Sequence, residues 1–223
     1  MSDITQLDLP LKNIIRKSEN TTDPGPTIFF LHGFGSNMQD LFGLTQFFGR
    51  EWNCISLQAT IPVHYGGWAW AELDHKNIKE LPRPEQMRDH HGKVIESIAK
   101  CVEVLDLDPT MIDLLGFSQG ATLSMYCGLK DPTRFRSIVA LCGLLPVEKI
   151  RPEIDLDAER DVDIFMGNGL SDMVVPISLA RESRDGLMSI GVSPTYREYD
   201  SEHTIPNDCL GDVIKWLNDK NVQ

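Results

Sequence analysis

Gly116-Phe117-Ser118-Gln119-Gly120 sets a serine between two glycines in the spacing G-x-S-x-G. A serine hydroxyl is a weak nucleophile until a base accepts its proton. The spacing suits a sharp turn from strand to helix, which strains the serine backbone and exposes Oγ. Positions two before and two after must lack side chains so that neighbouring backbone can approach. The helix that follows aims free N–H groups and a positive dipole end at the same point. Ser118 is therefore the candidate nucleophile. The plainer alternative is a glycine-rich turn with a capping serine.

A base and its orienting acid are required next. In open α/β sheets, reacting groups gather outside the carboxyl ends of the strands. A suitable acid and histidine should each follow a strand. His203 lies four residues past Tyr199, the end of the last expected strand, and Asp172 lies five past Gly167. The chain order is then Ser, Asp, His, as the hydrolase elbow expects. The competitors are less well placed. His32 precedes a glycine loop and reads as structural. His64, His75, His90 and His91 lie in an irregular excursion or on helix starts and read as solvated. Asp200 is only three residues from His203, and Asp161 and Asp163 flank the wrong end of their strand.

Acyl transfer builds negative charge on the carbonyl oxygen, which two preorganised backbone N–H donors can hold. One donor is the amide after the nucleophile, Gln119. The other is expected from the loop after the first parallel strand, where Gly33 and Gly35 flank Phe34.

The elements that must position these groups can be read from apolar periodicity. Runs at 27–31, 53–59, 111–115, 137–142, 162–167 and 195–199 read as strands. Met87, Val94, Ile95, Ile98, Val102 and Leu105 share one helical face. Further helices carry Met125 and Leu129, then Ala180 and Leu187, then Val213 and Leu217 after Pro206. Strands alternating with helices imply an α/β fold with a mostly parallel central sheet covered on both faces. Residues 7–17 are expected to add an antiparallel edge strand. The stretch from about 60 to 86 holds prolines and Gly66-Gly67 without a clear period, and reads as a cap-like excursion from a single domain over 1–223.

The chain has 223 residues, with 21 Lys+Arg against 33 Asp+Glu, a formal charge of −12. That acidity argues against nucleic acid and against anionic membrane surfaces. The longest apolar stretch, 138–147, is interrupted by Gly143 and Pro146 and is too short to span a bilayer. The five cysteines, Cys54, Cys101, Cys127, Cys142 and Cys209, are widely spaced and include no CxxC. They read as free, mostly buried thiols in a reducing compartment, with no metal site. Without a signal-peptide pattern at the N-terminus, the cytoplasm is the expected location.

The chain resembles the phospholipase/carboxylesterase family of α/β-hydrolases, which includes acyl-protein thioesterases and small carboxylesterases. Phe30-Leu31-His32-Gly33-Phe34-Gly35 is similar to the family's first-strand loop, and there the residue after His-Gly supplies an oxyanion amide, here Phe34. Gly116-Phe117-Ser118-Gln119-Gly120 is the family's form of the elbow. Gly169-x-x-Asp172-x-x-Val175-Pro176 is similar to the acid segment, and His203 falls where the family's histidine falls. Gly66-Gly67-Trp68-Ala69-Trp70 resembles the cap's aromatic stretch, which implies that Trp68 and Trp70 border an acyl groove; plain packing is the other reading. The chain departs in having Asn168 where the family has His before the acid-loop glycine. Glu202 replaces the glycine that commonly precedes the histidine, which brings a second carboxylate next to the base.

The reading is a serine esterase acting on a small-molecule or lipid ester through an acyl-serine, without cofactor, metal or stable membrane insertion. Two alternatives stay open: an acyl-protein thioesterase or lysophospholipase, and a non-catalytic module with a retained pocket. An apolar groove beside the site would also favour a homodimer.

Overall fold

A computed structural model of the chain describes residues 4–20, 24–73, 83–155, 157 and 162–222. In chain order the elements are β1 (Ile4–Thr5), β2 (Lys12–Arg16), β3 (Thr27–Leu31), α1 (Met38–Phe42), β4 (Asn53–Gln58), β5 (Ile61–Pro62), β6 (Trp68–Ala69), α2 (Pro84–Leu105), β7 (Ile112–Phe117) and α3 (Gln119–Lys130). There follow β8 (Ser137–Leu141), α4 (Val147–Ile150), β9 (Asp163–Gly169), α5 (Ile177–Ser189), β10 (Thr195–Tyr199) and α6 (Asn207–Asp219).

Among the described residues, eight strands form one sheet in the order β1-β2-β4-β3-β7-β8-β9-β10. From β4 to β10 every neighbour is parallel. β2 pairs antiparallel with β4, as the edge expected from the first residues, and β1 extends it.

Side chains alternate across this sheet because the strand period is two. Phe29 and Leu31, Ile112 and Leu114, Ile138 and Ala140, and Ile164 and Met166 enter one apolar layer with α2, α3 and α5. Ile28 and Phe30, Leu115, Val139 and Leu141, and Phe165 enter the opposite layer with α1 and α6. Both faces are covered, so the strands read as continuous apolar runs. α3 is buried from Gln119 to Leu129. A helix submerged this far carries no polar stripe, and its weak periodicity in the sequence follows from that.

The observed elements differ in detail from the expected ones. β7 and β9 each run two residues beyond the apolar runs, because Gly116, Phe117, Asn168 and Gly169 still pair across the sheet. β8 stops before Cys142, whose φ of 51° takes it out of the strand. α2 begins three residues earlier, at Pro84, where a missing N–H costs nothing in the first turn. The excursion contains a small antiparallel pairing of β5 with β6. Its residues 74–82, His75 among them, lie outside the described residues, as does Asp161.

Candidate active site

Ser118 lies between the last residue of β7 and the first of α3, with φ 53° and ψ −117°. Backbone in such a region costs about 1–3 kcal/mol and persists only where surroundings impose it. Here its N–H donates to Leu141 O at 2.8 Å, in the neighbouring β8. The two glycines have steric causes. A Cβ on Gly116 would collide with the Gly120 carbonyl, and one on Gly120 with the carbonyl of Leu31 in β3. The Ser118 hydroxyl makes no capping bond to α3. It faces His203 instead, with Oγ 3.0 Å from Nε2.

His203 follows β10, and its Nδ1 lies 2.7 Å from Asp172 Oδ2. A carboxylate with both oxygens engaged this way acts as an acceptor, so the proton is assigned to Nδ1 and Nε2 is left to accept from Ser118. The Asp172 side chain is fully buried, and Oδ1 accepts from the Val174 and Val175 N–H groups, each at 2.8 Å. The imidazole is 20% exposed and lies against the Phe117 ring, with centroids 4.9 Å apart. Acid and histidine loops are joined by Leu170 N–H to Tyr199 O at 2.8 Å and Ser171 N–H to Ser201 O at 3.0 Å. Asp200 and Glu202 are exposed, and Asp163 pairs with Lys220 at the far end of β9.

On the other side of the serine, the 33–36 loop turns through Ser36 N–H to Gly33 O at 3.2 Å. A Cβ on Gly33 would lie 3.5 Å from Ser118 Cβ, so this loop is in contact with the elbow. Phe34 sits in that loop. Gln119 is the first residue of α3, where the N–H has no carbonyl one turn back within the helix. Among the exposed apolar side chains are Met173 (88%), Val174 beside Asp172, and Tyr65, whose ring is 6.5 Å from that of Phe34.

Trp70 does not stand at a groove. It is fully buried, its indole N–H donates to His32 O at 2.7 Å, and its ring packs on His32. Trp68 is half-buried, with the Lys12 ammonium 5.7 Å from its ring centroid. His32 is structural, as expected: Nε2 accepts from Ala59 N–H at 3.1 Å, so Nδ1 donates to Gly33 O at 2.7 Å. His90 corrects the expectation of a solvated face. It is buried under Trp70 and accepts from Thr60 N–H at 3.2 Å through Nε2. His91 pairs with Asp131 at 2.5 Å, and His64 is exposed. The Gln119 side chain is a partner that sequence reasoning missed. Its Oε1 accepts from Trp70 N–H at 2.9 Å and its Nε2 donates to Ala71 O at 2.7 Å. The partners lie 49 and 48 residues away, so no local pattern signals them.

Among the described residues, one group of three metal-type donors occurs: Cys142, Asp172 and His203, with ligand atoms within 4.8 Å of one another. Asp172 and His203 already use these atoms on each other. Burial, reinforced by the Asp172 charge, pushes the Cys142 thiol up to about 12, and it donates to Thr204 O at 3.3 Å. The set therefore reads as the interior of the acid–histidine pair. All five cysteines are free and buried.

Ser118, His203 and Asp172 thus meet at the carboxyl ends of β7, β10 and β9. The profile of the Phospholipase/Carboxylesterase family matches residues 12–221.

The chain belongs to this family.

It has the α/β-hydrolase fold and is a serine hydrolase acting on esters. Family relatives include acyl-protein thioesterase 1 of Yarrowia lipolytica, 23% identical over 210 residues, covering 86% of this chain and 91% of that protein. The Debaryomyces hansenii protein of the same name is 24% identical over 213 residues, covering 86% and 90%. Among solved structures, esterase PE8 superposes with a TM-score of 0.81 at 24% identity, covering 97% of this chain and 99% of that one. A carboxylesterase from Mesorhizobium loti gives 0.83 at 17%, covering 96% and 98%. None of the helices in the described residues is long and apolar enough to cross a membrane.

Proposed function

We propose that this family member is a carboxylic-ester hydrolase that works through an acyl-serine on Ser118. His203 takes the Ser118 proton as Oγ attacks the carbonyl. The Phe34 and Gln119 amides hold the oxyanion. The protonated imidazole then passes its proton to the leaving group, while Asp172 fixes the tautomer and stabilises the cation. Water repeats the sequence on the acyl-enzyme. The observation that carries this reading is the continuous line from Asp172 Oδ2 through His203 to Ser118 Oγ, at 2.7 and 3.0 Å. Met173, Val174 and Tyr65, exposed apolar side chains near the triad and oxyanion loops, support an apolar short-to-medium acyl group.

A thioester substrate is the second reading, favoured by the name shared by the curated relatives. A chain-length series of nitrophenyl esters, run beside a palmitoyl thioester peptide, separates the two. Turnover by the Ser118→Ala variant equal to wild type would overturn both. A non-catalytic module would not be labelled at Ser118 by a fluorophosphonate. A cytoplasmic location remains part of this reading, supported by the five free cysteines.

A further inference from the structure

One of the two amides assigned to the oxyanion lies in the 33–36 loop and the other opens α3, and the sheet ladder reaches neither. The β3–β7 ladder ends at Leu31 opposite Gly116, three residues short of Phe34 on one side and of Gln119 on the other. Past that point the spacing of the two N–H groups must be set by something else. A preorganised hole requires such control, since donors that must reorganise lose most of their worth.

One segment, 67–71, is bonded both to the 33–36 loop and to the first residue of α3. On the loop side, Gly35 N–H donates to Trp68 O at 2.9 Å, Trp68 N–H to Ser36 O at 2.8 Å, and the Trp70 indole N–H to His32 O at 2.7 Å. On the α3 side, the Gln119 carboxamide engages both sides of one stretch of backbone, accepting from Trp70 N–H and donating to Ala71 O. Trp70, His32, Ala71 and Gln119 are all buried, so the bonds among these four residues have little competition from water. The strap also lies tight: at Gly67, φ is +76°, and a Cβ there would collide with the Gly35 carbonyl.

We propose that the Gln119 side chain and the Trp70 indole are positioning residues that fix the Phe34 and Gln119 amides relative to each other. The inference rests on the hydrolase reading above and adds two side chains to it. The carboxamide pins the Cα that carries one donor. The indole pins the His32 carbonyl, two residues before the other. Trp70 thereby acts on the reaction without touching the acyl group.

The test uses Trp70→Phe, which keeps an aromatic ring in the core and removes one N–H, and Gln119→Met, which keeps the volume and removes both carboxamide bonds. Ile98→Ala, in the middle of α2, serves as a stability control. The readouts are kcat and KM on one nitrophenyl ester, the inhibition constant of a trifluoromethyl ketone whose tetrahedral adduct fills the hole, and Tm. The expected result is a fall in kcat of about 10–100-fold with KM within about threefold, and a matching loss of ketone affinity. Ile98→Ala should leave both unchanged at a similar Tm. The double variant should lose less than the product of the two single losses, because both act through one strap. If Gln119→Met does not fold, Trp70→Phe alone decides. Folded variants with wild-type kcat, or losses that Ile98→Ala reproduces, would overturn the positioning role alone. Wild-type protein that neither turns over esters nor reacts with a fluorophosphonate at Ser118 would overturn the hydrolase reading and this inference with it.

Discussion

Asp172 divides its carboxylate between two partners, holding the Val174 and Val175 amides with Oδ1 and His203 Nδ1 with Oδ2. An asparagine in its place would keep Oδ1 on the two amides and turn its NH₂ toward His203. The imidazole would then have to accept at Nδ1 and carry its proton on Nε2, where it cannot receive one from Ser118. Asp172→Asn is expected to lower kcat by about 10³–10⁴-fold with the fold intact, by the logic of the triad. Steady-state kinetics beside a circular dichroism melt would decide. A silent Asp172→Asn with a damaging Asp200→Asn would reassign the acid.

Ser118 stores strain as well as carrying the hydroxyl. Ser118→Ala should lose roughly 10⁴–10⁶ in kcat. Ser118→Gly should be equally inactive yet more stable than Ser118→Ala by about 1 kcal/mol, because glycine accepts φ 53° and ψ −117° without the Cβ penalty. Equal denaturation midpoints for the two variants would show that the turn is unstrained.

The contact of Gly120 with β3 makes it a structural requirement of the elbow. Gly120→Ala would drive a Cβ into the Leu31 carbonyl and force α3 away from the sheet. A loss of about 1–3 kcal/mol is expected, with activity falling alongside. A wild-type Tm for Gly120→Ala would count against this packing.

Acid should destabilise the fold from within. Burial, the largest cause at each site, holds the His32 and His90 imidazoles below the ordinary histidine value of 6.5. Both accept backbone N–H bonds through Nε2, which the protonated ring cannot do. As pH falls through about 6.5, the unfolded chain takes up protons that the folded chain refuses, so stability declines until the lowered folded values are reached. Urea midpoints at pH 7.5, 6 and 5 should fall in that order, and His90→Gln should flatten the slope. An unchanged slope in that variant would remove His90 from the account.

Much of this molecule is legible in order along the chain. The buried strands are visible as apolar runs, since a sheet covered on both faces shows no polar alternation, and an antiparallel strand, β2, lies within the residues 7–17 expected to add one. Strand ends were harder to read. Gly116 and Phe117, like Asn168 and Gly169, stay in the ladder through backbone pairing alone, which leaves no mark in hydropathy. For Trp70, read either as groove-lining or as plain packing, and for His90, read as solvated, the tertiary structure decided for a different cause. Each occupies a polar or amphipathic residue type in the core, and only its distant hydrogen-bond partners make that burial tolerable.

A nucleophile elbow is a property of five neighbouring residues, because a strand, a tight turn and a helix start are all governed by short-range sterics. Ser118 is therefore proposed as the nucleophile from its neighbours alone. Which carboxylate meets His203, and whether an aromatic ring faces substrate or holds a loop, depends on how segments far apart in the polymer settle against one another. Asp172 is selected over Asp200 by the β9–β10 register and the bonds between their loops, and Gln119 acquires its second task only once the strap from 67 to 71 lies across it. Such contacts follow from the folded packing of the whole chain, and no spacing of residue types encodes them.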